Sequence, residues 1–178
     1  MLAQMIRVAL FSLVGVLFMS LWLRYPPTYG QSDSQSDWHL VLGFSAGLLC
    51  LAFALPMFAQ LVGSRRAFRA SLVPASGAVL GSVSNVLEDG LQIGWAFWGF
   101  ILSLAIIDLG LLALTGVIAF VSRGGHRLLG VVPATTLAGV TFYVAAGGIL
   151  MLAAWLAAAA LALALPTPVA AQRPPMTP

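Results

Sequence analysis

The chain has 178 residues, of which 61% are hydrophobic and only 7% charged. Soluble domains carry about a quarter charged residues, so this composition cannot cover a water-facing surface, and a soluble enzyme or binding module is excluded. The eight basic residues against five acidic ones are all Arg, set singly or in short groups at the ends of apolar runs. That is the placement of topology determinants rather than of a nucleic-acid surface, so no nucleic acid is expected.

The predicted architecture is all-α: one polytopic membrane domain over 1–165, with spans at about 6–23, 38–62, 70–87, 95–121 and 136–160. In the first span Arg7 precedes the apolar stretch from Val8 to Leu23, and no small-x-small site lies close behind it, which reads as a retained helix rather than a cleaved signal peptide. Tyr25-Pro26-Pro27 stops it, and 30–37 is a polar loop of turn formers. The second span carries Gly43 and Gly47 at small-x-x-x-small spacing, a lone Cys50 that reads as a packing residue, and Pro56 as a tolerated kink. Arg65, Arg66 and Arg69 follow as a basic loop.

The third span is the least hydrophobic and the most patterned. Pro74, Ala78, Gly81, Asn85 and Glu88 recur at spacings of four and three, which puts them on one helical face opposite Val79, Val83, Val86 and Leu87. Small residues let helices approach closely in lipid, so the first face is predicted to point inward and the valines outward. Glu88-Asp89-Gly90 ends the helix.

The fourth span, 95–121, is apolar except for Asp108 near its middle. Beyond the turn Gly124-Gly125-His126-Arg127, the 38 residues of 128–165 are too many for one straight span. Pro133 is read as separating an interfacial piece from a fifth helix. A sixth helix would need a polar hairpin, for which Gly147-Gly148 is a poor candidate, so five are preferred. The tail 166–178 is Pro-rich and expected to be unstructured.

Placing the N-terminus in the cytoplasm puts Arg7, Arg65, Arg66, Arg69, Arg123 and Arg127 inside and only Arg24 and Arg173 outside. The same choice gathers Trp22, Tyr25, Trp38, Trp95 and Trp98 at the outer interface, and puts the C-terminus outside.

Two groups of residues stand out chemically. An ionised carboxylate at the depth of Asp108 is costly, and no Arg lies within a span to pair with it, so a neutral hydrogen-bonding carboxyl is expected. Counting outward from the turn at Gly125 and His126 brings Tyr143 level with Asp108, which predicts a hydrogen bond between them. The second group is an outer polar cluster of His39, Asn85, Glu88 and Asp89. It reads as a water-facing helix cap rather than a metal site, because metal-ligand spacings such as HxH or HExxH are missing. No cofactor is expected: His39 and His126 fall on opposite faces and cannot share a haem iron. His39 and His126 both sit at the ends of apolar runs, so no intramembrane His could serve as a general base, and an enzyme is the least supported class. The expectation is a non-catalytic accessory or scaffolding subunit in the lipid bilayer, its helices packed against partner transmembrane subunits. The alternative is a small channel or a proton- or ion-coupled carrier using Asp108.

Overall fold

The computed structural model describes residues 38–122, 124–142, 153–157 and 160, and every regular element among them is helical. Three helices are long and apolar enough to cross a membrane. They are α1 (Trp38–Val62), α2 (Arg65–Asn85, continued by one π-helical turn, Val86–Gly90) and α3 (Ala96–Val121). A 3-10 helix (Gly124–Gly130) then leads into α4 (Val131–Phe142). The predicted first span and the tail lie outside the described residues.

The α1–α2 connection is tighter than the sequence reading assumed. Gly63 takes a left-handed φ of 71°, which ends α1, and its amide donates to the Gln60 carbonyl at 3.1 Å. Ser64 then caps α2, its Oγ accepting from the amides of Arg66 (3.2 Å) and Ala67 (3.4 Å). The arginines read as a loop therefore form the first turns of α2, which starts at Arg65 rather than near 70. At the far end, the Leu91 amide reaches the Val86 carbonyl at 3.0 Å and closes the π turn. Gly90 there lies against the Trp38 indole, and a Cβ at this position would come within 2.8 Å of the ring. Gln92 takes a positive φ of 56° where the chain reverses into α3.

α2 packs along both α1 and α3. Its buried residues are small: Ala67, Ser71, Pro74, Ala75, Gly77, Ala78, Gly81, Ser82, Ser84 and Asn85. The aliphatic bulk comes from its neighbours. Phe44, Leu48, Leu51, Leu55 and Phe58 of α1, with Ile107, Leu111, Leu114 and Ile118 of α3, form the core. The facing predicted for α2 holds along most of its length. Pro74, Ala78, Gly81 and Asn85 are buried while Val79 and Val83 are exposed. Glu88 is only half-buried, because the π turn advances the backbone out of the α-helical register that placed it on the stripe.

Close approach between α2 and α3 is what those small residues permit. A Cβ on Gly77 would meet Ile106 at 2.9 Å, one on Gly81 would meet Ser103 at 2.6 Å, and one on Gly99 would meet Ser84 at 2.6 Å. A Cβ on Gly110 would come within 2.6 Å of both the Pro74 ring and its backbone nitrogen. These pairs run in opposite order along the two helices, so α2 and α3 are antiparallel. Arg127 sits beyond the far end of α3, where its Nε donates to the Ser122 carbonyl at 3.0 Å and caps the last turn.

The predicted fifth span needs correction. α4 begins at Val131, and Pro133 lies in its first turn, where a missing amide costs no helical hydrogen bond. Its described part runs to Phe142. Trp155 is buried, and its Nε1 donates to Thr136 Oγ1 at 3.0 Å although 19 residues separate them. A continuous helix would hold those two residues about 28 Å apart. One straight helix over 136–160 is therefore incompatible with this bond. The outward placement of the C-terminus rested on that continuous span and loses its support.

Candidate functional site

Asp108 lies midway along α3, bracketed by the Gly77–Ile107 and Pro74–Gly110 contacts with α2. The buried stripe of α3 runs Ala96, Phe100, Ser103, Ile107, Gly110, Leu111, Leu114, Ile118. Asp108 is one position past Ile107, so its side chain leaves the helix at the edge of this stripe. The residue is half-buried. Its Oδ1 is enclosed and has no hydrogen-bond partner among the described residues. Tyr143, the predicted partner, lies outside the described residues. On the outward side of Asp108 the helix shows Ile101, Leu102, Leu109, Leu112 and Phe120, all exposed. A lone carboxyl thus stands at the border between a packed seam and a broad apolar face, at a depth where such groups almost always face a bundle interior or a water-filled cavity.

The predicted outer cluster comes together only in part. Asn85 is buried and turns toward α1, where its Nδ2 donates to the Val41 carbonyl at 3.1 Å and to Ser45 Oγ at 3.0 Å. Ser45 Oγ in turn donates to the Ser82 carbonyl at 3.2 Å. Asn85 is thereby part of a closed polar clasp between α1 and α2 and does not join Glu88. Interhelical bonds of this kind contribute about 0.6 kcal/mol each in lipid, since the separated helices also find partners. Glu88 stays half-buried and Asp89 exposed at the π turn. The side chain of His39 lies outside the described residues. Among the described residues no three of His, Cys, Asp and Glu converge as metal ligands would.

No protein-family model matches this chain, and neither the characterised proteins nor the solved structures searched contain a similar one. Its function must be read from its own residues.

Sequence reasoning missed Ser45 as the partner of Asn85. The tight connection at Gly63-Ser64 brings Ser45 level with Ser82, and the Gly-then-Ser order that marks a helix stop and a helix cap was the available signal. The Thr136–Trp155 bond had no local signal, since it joins residues 19 apart in the chain.

Proposed function

We propose that this protein is a non-catalytic subunit of a membrane assembly, and that Asp108 meets a donor on a transmembrane helix of a partner. The observation carrying this reading is a half-buried carboxyl at mid-depth, at the edge of the packed seam, for whose Oδ1 the described residues supply no hydrogen-bond partner. An unsatisfied polar group in hydrocarbon is expensive, and the described spans of this chain offer no cationic side chain at that depth. The outward apolar face of α3 beside it gives a partner helix a surface to pack on. The small residues of α2 are not available for this role, because Gly77 and Gly81 are used against α3.

The decisive experiment is extraction in mild detergent, with identification of whatever co-purifies in stoichiometric amount. The parent is expected to retain a transmembrane partner and Asp108→Leu to lose it. The isolated Asp108→Leu chain should gain about 1 kcal/mol in unfolding stability, because an unpaired polar group has been removed. Retention of the partner by the Leu variant overturns the reading. So does pH-dependent flux in vesicles that Asp108→Asn abolishes.

The orientation follows the charge distribution. Arg65, Arg66, Arg69 and Arg127 lie at one end of the helices, while Trp38, Trp95 and Trp98 are exposed at the other. The arginine end is assigned to the cytoplasm, together with the N-terminus. In a Cys50→Ala background, a cysteine at Trp95 should react with an impermeant reagent applied outside, and one at Ser64 should not. The reverse pattern rejects this orientation.

A further inference from the structure

We infer that the exposed face of α2 seats an anionic phospholipid, its phosphate on Arg65, Arg66 and Arg69 and one acyl chain along Leu72, Val73 and Val79. Helical spacing places Arg65, Arg69, Leu72 and Val79 along one side, with Arg66 and Val73 beside them. All six are exposed. Ser76 interrupts the aliphatic line, but its Oγ donates to the Val73 carbonyl at 2.8 Å and presents no free donor. Ten residues separate Arg69 from Val79, a rise of about 15 Å, which is half the roughly 30 Å hydrocarbon core. Positive charge at the interface followed by one leaflet's depth of aliphatic surface has the shape of a single lipid.

The charge on this patch is uncompensated. Among the described residues the acidic side chains are Glu88 and Asp89 at the opposite end and Asp108 midway. Guanidinium forks match phosphate oxygens and give up their hydration readily. Three of them favour a headgroup with net negative charge over one that carries its own cation. A nucleic acid or an acidic peptide would use the arginines and leave the aliphatic strip unexplained. This inference requires that α2 cross a bilayer and is independent of a partner at Asp108.

The test uses the full chain in mild detergent, titrated with phosphatidylglycerol, phosphatidylcholine or inorganic phosphate. Lipid retained is read by native mass spectrometry and the thermal midpoint is followed in parallel. Phosphatidylglycerol should be retained and raise the midpoint well above phosphatidylcholine, and phosphate alone should do neither. Each arginine near a membrane surface favours an anionic lipid by roughly fivefold, so the triple change R65Q/R66Q/R69Q should weaken retention on the order of a hundredfold. If that variant does not fold, Arg69→Gln alone should show the fivefold loss. Equal retention of the two lipids overturns the assignment. Undiminished phosphatidylglycerol binding by the variants, or stabilisation by phosphate alone, does so as well.

Discussion

Gly110→Ala should be the most damaging single-methyl change in the three long helices, costing about 3 kcal/mol. The new Cβ would sit 2.6 Å from the Pro74 ring carbon and 2.6 Å from the Pro74 nitrogen. A flexible side chain can swing away from such a contact; a proline ring fused to a helix backbone cannot. Either α2 and α3 separate along the whole seam from Pro74 to Ser84, or the helix distorts locally. Overpacking typically costs 1–3 kcal/mol, and a rigid opponent places this site near the upper end. Ala is otherwise the better helix former by about 1 kcal/mol, so the gross steric penalty is larger than the net loss. Gly116 is the internal control. It lies on the same helix, yet a Cβ there meets nothing within 4 Å. Gly116→Ala should be neutral or gain up to about 1 kcal/mol. Reversible unfolding in mixed detergent measures both. Equal stabilities of the two variants would show that the close α2–α3 contact does not form.

Trp155→Ala should be comparably severe, at about 3 kcal/mol, because the indole is 2% exposed and fills space between two other elements. Its ring centroid lies 6.4 Å from that of Phe58 on α1, and its Nε1 is bonded to Thr136 on α4. Trp155→Phe keeps most of the packing and loses the bond, so a loss of about 1 kcal/mol is expected. The graded pair decides between two arrangements of the C-terminal third. If the chain turns back, both variants lose stability in that order, and protease sites after α4 become more accessible in Trp155→Ala. If residues 136–160 formed one straight helix, Trp155 would not reach Thr136, and Trp155→Phe would be nearly silent.

Much of the fold was legible in the chain itself, for a reason rooted in the solvent. In hydrocarbon every backbone amide must be satisfied internally, so long apolar runs have little choice but to be helices. That is why the predicted 38–62 and 95–121 agree with α1 and α3 almost to the residue. The inward face of α2 was legible too, because Pro74, Ala78 and Gly81 recur at helical spacing and small residues reward close approach. Asp108 announced itself as the lone charge in an apolar run.

Other features were decided by contacts between segments distant in sequence. Gly110 carries no signal of its own and becomes critical only because α3 brings it onto Pro74. Asn85 had several polar neighbours within reach, and the tight Gly63-Ser64 connection selected Ser45 and Val41. Glu88 left the predicted stripe because one π turn shifted its phase. The contact of Trp155 with Thr136 is the clearest case. Apolar composition makes a straight span and a returning one look alike, since both bury the same kind of surface. A tryptophan that needs a hydrogen-bond acceptor and a cavity against Phe58 distinguishes them, and only the folded chain contains that cavity.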